Sequence, residues 1–375
     1  CYRDEDFRAD RQVEFTQLDL EGSFWGQEDV LNTLEKIAAE VVKDVRGIDI
    51  PLPFERLTYE EAMDRFGTDK PDLRFGMELV DLGEVFAGSG FKAFSGALTD
   101  GGTVRGINGG KLALARSGLD ALVSHAQGLG AKGLVWMVVE EDGSLRSPVA
   151  KFLSEDELEG IKQALLAEIG DTLLIVADSV KVVRNVLGEL RLQLGQPEGN
   201  EELRFLFVVD FPVFEVGDDG SLAPAHHPFT APGSLEELVE TPETAVSKAY
   251  DMVLNGAELG SGSVRIHDSE MQAKVFEVMG ISDEEAESRF GWFLEALRYG
   301  TPPHAGFAIG IDRFVSILQD EPNIREVMPF PKTQTGADPL TGSPGRVRED
   351  QLFELGIDIR PEVREEWAAE AGFEG

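Results

Sequence analysis

Cysteine is almost missing from this chain. Cys1 is the only one, so no disulfide can close within it, and a reducing compartment is the expected home. Positive charge is in the minority: 34 Lys and Arg face 70 Asp and Glu, a formal net charge of −36. That excess opposes non-specific attraction to nucleic acid or anionic membranes. Any nucleic-acid contact therefore needs a local basic patch. Adaptation to a salty interior and simple solubility explain the acidity equally well. Nothing approaches ~18 uninterrupted apolar residues, so no transmembrane helix is expected. The charged opening argues against a signal peptide, which makes a cytoplasmic location the expectation. Met is also missing from position 1, where Cys1-Tyr2 falls inside a strand-like run. The chain is accordingly expected to be a fragment whose N-terminal part lies elsewhere.

What is present fits a globular protein. The 375 residues are 42% apolar and predict about two or three domains, each with its own core. Residues 3–15 read as a strand, a charged loop and a second strand that runs on through Phe15-Thr-Gln-Leu-Asp-Leu-Glu21. Alternation puts Phe15, Gln17, Asp19 and Glu21 on one face and Thr16, Leu18 and Leu20 on the other. The first set, beside an arginine-bearing loop, has the composition of a ligand-facing surface; the second suits a core. Helical spacing then runs from Gln27 to Arg46 and stops at Gly47, and a short acidic helix is expected over Thr58 to Phe66.

From about 73 to 195 the pattern becomes alternating β and α, read as an inserted α+β domain. Helix is expected over 112–129, strand over 133–140, a capping box at Ser154 to Glu157, strand over 172–177 and helix over 179–193. The Gly-rich run 101–110 lacks the Gly-Lys-Ser/Thr ending of a phosphate loop. From Phe205 the first architecture resumes with an apolar strand, a polar loop holding His226-His-Pro-Phe-Thr230 and an alternating strand from Ser263 to His267. Helices follow over 269–279 and 282–300. Gly306 to Arg313 reads as a strand feeding a helix to Leu318, and an acidic helix is expected over 361–371. The domain limits are expected at 1–72, 73–200, 201–340 and 341–375.

Several residues could carry chemistry, each with a plain structural alternative. Arg3 and Arg313 offer planar forks for phosphate oxygens, although a structural ion pair is the commoner fate of an arginine. Arg313 gains from its place at a strand-to-helix junction, where the helix start favours an anion. Asp251 and Glu258 lie near a Gly-Ser-Gly-Ser segment, read as a turn over 260–263, and could hold Mg²⁺; among 70 acids, two carboxylates seven apart also fit a solvated surface. Arg265 suits a substrate carboxylate or a cross-strand ion pair. His226 and His227 lack the Cys or spaced third His of a zinc site and fit a mobile loop over a substrate.

Taken together, these segments resemble a known family. Arg3 to Gln12 with Phe15-Thr-Gln-Leu-Asp19 resembles motif 2 of class II aminoacyl-tRNA synthetases in its aspartyl form. Gly306 to Phe314 resembles motif 3. His226 to Thr230 and Asn255 to His267 resemble substrate-binding segments of the bacterial type, and the insertion resembles its GAD domain. The resemblance covers essentially the whole chain in the family's order. It implies an α+β fold, with an antiparallel-sheet catalytic domain interrupted by the inserted α+β domain. It implies activation of L-aspartate by ATP with Mg²⁺, transfer to tRNA(Asp), with tRNA(Asn) left open, and a homodimer in the intact enzyme. Arg3 would hold the α-phosphate, with Asp4, Glu5 and Gln12 near the nucleotide. Phe15 would stack under adenine, Arg313 would cover it and reach the γ-phosphate, and Gly310, Ile311 and Asp312 would also bind ATP. Asp251 and Glu258 would hold Mg²⁺. Asp19 would receive the substrate ammonium, Arg265 its side-chain carboxylate, and His226 and His227 would close over it.

The family's anticodon-reading β-barrel, motif 1 and the substrate loop ahead of motif 2 are not among these residues. The activity is therefore expected of the intact protein rather than of this chain alone. The competing readings are an asparaginyl or lysyl relative, which the insertion and the paired histidines disfavour, and a non-catalytic paralogue. Loss of Arg3, Glu258 or Arg313 would favour the paralogue, and all three are present.

Overall fold

The computed structural model describes residues 1–4, 8–195, 202–217, 220 and 222–365. It divides into two compact units, residues 18–310 and residues 1–17 with 311–375. The chain runs through β1 (Gln17–Ser23), α1 (Gln27–Arg46), β2 (Glu55–Thr58) and α2 (Tyr59–Phe66). It continues with β3 (Val80–Asp81), α3 (Lys92–Thr99), β4 (Thr103–Asn108), α4 (Arg116–Gly128), β5 (Val135–Val139), β6 (Leu145–Arg146), α5 (Glu155–Ala164), β7 (Thr172–Asp178) and α6 (Val180–Leu194). Next come β8 (Phe205–Val209), β9 (Phe214–Val216), β10 (Leu222–Pro224), α7 (Leu235–Glu240), β11 (Ala249–Leu254), β12 (Ala257–Val264), α8 (Ser269–Val278), α9 (Asp283–Arg298) and β13 (His304–Gly310). The smaller unit adds α10 (Ile311–Leu318) and α11 (Glu349–Glu354). Among the described residues no helix is long and apolar enough to cross a membrane.

The larger unit holds a six-stranded sheet in the order β1-β13-β12-β11-β8-β2. β8, β11, β12 and β13 pair antiparallel, and β2 joins β8 in parallel. Every residue of β8 and β11 is buried, which explains why Phe205 to Val209 reads as an unbroken apolar run. Leu57, Phe66, Leu206, Val208, Phe211 and Val253 form one core of this sheet. A second sheet, β3-β4-β7-β5-β6, is built by the insertion. β7 buries both faces: Leu174 and Val176 pack with Leu119, Val186 and Leu190, whereas Leu173 and Ile175 pack with Phe86, Phe94 and Ile161.

Four local expectations are corrected. The opening hairpin is looser than two strands. It holds only the isolated bridges Tyr2↔Glu14 and Arg8↔Arg11, and regular strand begins at Gln17. Leu18 is exposed rather than in the core, because β1 is the edge of its sheet. Gly260 to Ser263 is the body of β12 rather than a turn. The turn is Asn255-Gly256, both at positive φ (51° and 83°), a pair suited to a two-residue hairpin. Gly260 and Gly262 serve close packing instead: a Cβ at either would lie 2.1 or 2.2 Å from a carbonyl oxygen of β13. The helix expected from 112 begins at Arg116. Of the helix expected over 361–371, residues 366–371 lie outside the described residues.

The insertion meets the first sheet along α2. Gly67, just past α2, and Gly188 of α6 touch backbone to backbone, and a Cβ at Gly188 would lie 2.6 Å from the Gly67 carbonyl oxygen. Arg184 of α6 pairs with Glu60 and Asp64, and Arg105 of β4 also pairs with Asp64, at 2.8 Å. Arg191 is fully buried. It donates to the Asp72, Phe75 and Gly76 carbonyls at 2.8–2.9 Å and lies over the rings of Phe66 and Phe75. Burial lowers its pKa to about 10, still charged at neutral pH. Arg191→Met would keep the bulk and orphan these carbonyls, a cost of about 2–4 kcal/mol. A lowered urea midpoint is the expected result, and an unchanged one would remove Arg191 from the joint.

Candidate active site

In the smaller unit the opening segment sets an arginine over an aromatic ring. The Arg3 N–H donates to the Val13 carbonyl at 2.9 Å and the Phe15 N–H to the Cys1 carbonyl at 3.0 Å. These bonds place the Arg3 guanidinium carbon 5.4 Å from the Phe15 ring centroid. The Ile311 N–H donates to the Thr16 carbonyl at 2.9 Å, and the Asp312 carboxylate accepts from the Thr16 N–H at 2.7 Å. Arg313 Nη2 donates to the Asp10 carbonyl at 3.1 Å. Two cations, an apolar ring and the start of α10 can take a polyphosphate and a flat base.

Other expected nucleotide residues are placed differently. Asp4 is exposed. Gln12 is buried, and both ends of its amide are engaged within the unit. Its Oε1 accepts from the Lys332 N–H at 3.1 Å and its Nε2 donates to the Arg11 carbonyl at 3.3 Å. Glu5 lies outside the described residues. Gly310 closes β13 in the larger unit.

In the larger unit the β11–β12 hairpin joins two carboxylates. The register slips by one between Met252 and Val253, so Glu258, not Leu259, lies opposite Val253. Asp251 and Val253 share a face, and opposed residues on paired strands share a face. The bulge therefore turns Glu258 onto the face of Asp251. Asp251 Oδ1 is buried with no hydrogen-bond partner. Burial and the Glu258 charge push the Asp251 carboxyl well above the usual carboxylate range. Among the described residues no cluster of three or more His, Cys, Asp or Glu could hold a metal. An orphaned carboxylate oxygen beside a second carboxylate nevertheless suits Mg²⁺, which takes one or two carboxylates and fills its other sites with water and phosphate.

That raised pKa carries a prediction. The folded state binds a proton at Asp251 more tightly than the unfolded state does. Its contribution to stability is full below the ordinary Asp value and is lost as pH rises towards the raised one. In EDTA, Asp251→Asn should melt higher than the parent at neutral pH, with the gap closing on acidification. A gap that does not change with pH would show that Asp251 carries no such strain.

Arg265 follows β12, and Glu21 of β1 grips it from two strands away. Arg265 Nε lies 3.0 Å from Glu21 Oε1 and Nη2 lies 3.2 Å from Oε2, while Nη1 donates to Ser263 Oγ at 2.5 Å. Gly306 of β13 makes this possible, since a Cβ there would lie 1.8 Å from Glu21 Oε2. Sequence alternation placed Glu21 on the ligand face without giving it a role. The missing side chain at Gly306 was the available signal. Asp19 is exposed on β1.

The His loop packs close by. His226 sits edge-on against Phe211, with centroids 4.8 Å apart. Burial pushes its pKa down, opposed by Glu258 and Asp69. His227 Nδ1 accepts from the Phe229 N–H at 3.3 Å, and burial and the Arg265 charge lower its pKa. Gln272, fully buried on α8, donates to the Pro228 carbonyl at 2.9 Å and so anchors the loop. The structure thus groups Arg265 with Glu21 and His227, and Asp251 with Glu258 and His226.

Comparison with known proteins places this geometry in a class. The family model described as class II tRNA synthetases (D, K and N) matches residues 1–334, and the chain belongs to that family. Its α+β architecture agrees with the fold expected from the motifs. Among curated relatives, the aspartate–tRNA(Asp/Asn) ligase of Thermoanaerobacter sp. (strain X514) is 50% identical over 367 residues, covering 96% of this chain and 62% of that protein. The ligase of the same name from Geobacillus sp. (strain WCH70) is 48% identical over 374 residues, 98% of this chain and 63% of that protein. The aspartate–tRNA ligase of Agathobacter rectalis is 47% identical, with 98% and 62% covered. The chain spans less than two thirds of the length of these relatives.

Proposed function

We propose that the protein carrying this chain is an aspartate–tRNA ligase. The observation that carries the reading is Arg265, an arginine fork fixed by Glu21 and Ser263 in the unit that also presents the Asp251–Glu258 pair. A fixed fork suits the side-chain carboxylate of aspartate, and the names of the relatives agree with it. Arg3 and Arg313 bind the triphosphate and Phe15 stacks on adenine. Asp4 and Glu5, with Gly310, Ile311 and Asp312, border the nucleotide, and Asp19 receives the substrate ammonium. Gln12 acts behind this set, holding Lys332. His226 and His227 cover the amino acid. Asp251 and Glu258 would hold Mg²⁺, which supplies charge neutralisation at the phosphates.

In the first step an α-carboxylate oxygen of aspartate attacks the α-phosphorus of ATP. The bond to the β-phosphate bridging oxygen breaks and pyrophosphate leaves. In the second, the 3′-terminal hydroxyl of tRNA attacks the aspartyl carbonyl and AMP departs. This chain contributes position and charge rather than covalent chemistry. We read residues 73–200 as a GAD-like insertion, and the intact protein as a cytoplasmic homodimer. Pyrophosphate exchange with the whole protein should depend on L-aspartate, and L-asparagine should not replace it. Exchange driven equally by asparagine would overturn the reading. Charging of tRNA(Asp) and tRNA(Asn) transcripts separates the two acceptors carried in the relatives' names.

A further inference from the structure

We infer that the inserted sheet positions His226 through α2, with Tyr59 as the positioning residue. The inference rests on the aspartate-ligase reading above and adds to it. Tyr59 is the first residue of α2. Its ring lies 5.2 Å from that of Phe211, centroid to centroid, and Phe211 in turn meets His226 edge-on at 4.8 Å. Phe211 is buried, whereas Tyr59 is only partly so. The three rings form a row from the head of α2 to the histidine loop.

The remainder of α2 is held by the insertion. Arg184 pairs with Glu60, next to Tyr59, and with Asp64 one turn further on. Arg105 donates to the Asp64 carbonyl at 2.7 Å as well as to its carboxylate. At the far end, Gly67 is pressed against Gly188 with no room for a methyl group, and Arg191 lies over Phe66. A helix of eight residues fixed on one side at three points cannot shift its first residue independently. The insertion therefore sets where Tyr59 stands, Tyr59 sets Phe211, and Phe211 sets the ring of His226. Gln272 secures the other side of the loop through Pro228, so His226 is the part whose placement depends on the aromatic row.

The test uses the whole protein that carries this chain and reads steady-state pyrophosphate exchange. Tyr59→Ala should raise KM for aspartate about tenfold, with kcat and KM for ATP within about twofold of the parent, because it loosens a substrate-covering group and leaves the reacting centre intact. Tyr59→Phe keeps the ring and should match the parent. Tyr59→Leu keeps apolar bulk without the ring and should repeat the alanine effect at an unchanged melting temperature. Arg184→Ala should move KM for aspartate in the same direction, and combined with Tyr59→Ala it should add little. An aspartate KM within about twofold of the parent in both Tyr59→Ala and Tyr59→Leu would overturn the inference and leave the function standing. So would KM values for aspartate and ATP that rise together with a lowered melting temperature. A parent protein with no aspartate-dependent exchange would overturn both.

Discussion

Arg265→Leu should lower aspartate-dependent pyrophosphate exchange in the whole protein by about 10³–10⁴-fold, the scale on which a site built for a polar group loses its discrimination. That corresponds to about 4–5.5 kcal/mol of transition-state stabilisation. Leucine cannot neutralise the substrate carboxylate, and it leaves Glu21 facing that carboxylate with like charge. Repulsion is thus added to lost attraction. The fold should survive, because the Glu21 side chain is 43% exposed and can turn to water. A melting temperature near the parent's, with KM for ATP unchanged, would locate the loss in amino-acid recognition. Near-parental exchange would remove Arg265 from the site.

Glu258→Gln is the second large effect, expected at about 10²–10³-fold in kcat, as for removal of one preorganised electrostatic contact. Gln keeps the shape of Glu258 and takes away its charge. Asp251 would then be relieved of the neighbouring charge that raises its pKa, but a single buried carboxylate, even one with an orphaned oxygen, offers a divalent cation half the charge and binds it poorly. A readout independent of catalysis is available. Added Mg²⁺ should raise the melting temperature of the parent and fail to raise that of the variant. An equal rise in both would show that the cation binds elsewhere.

The sequence made the fold class and most elements legible, because the signals were local. The periodic apolar residues of α1 and its Gly47 stop, the short acidic helix ending at Phe66, the capping box at Ser154 and the unbroken apolar run of β8 all matched observed elements. The misread positions depended on partners distant in sequence. Gly260 and Gly262 look like turn residues until β13 lies against them. Leu18 looks buried until β1 proves to be a sheet edge. The candidate site divides similarly. The motif residues could be named, but the one-residue slip that unites Asp251 with Glu258 has no periodic signature. Glu21 acquires meaning only across Gly306. Gln12 shows the reverse case, a motif residue whose amide is engaged by Lys332 and Arg11.

The two ways in which α2 is fastened to the insertion should respond differently to ionic strength. Arg184 and Arg105 bind carboxylates and lie nearer the surface, where added salt shortens the reach of charge from about 10 Å at 0.1 M to about 3 Å at 1 M. Arg191 is held by neutral carbonyl oxygens and two ring faces, away from solvent, where mobile ions cannot enter. The joint is thus part brine-sensitive and part brine-proof. In a chain of net charge −36, salt that relieves self-repulsion elsewhere would leave this rivet in place.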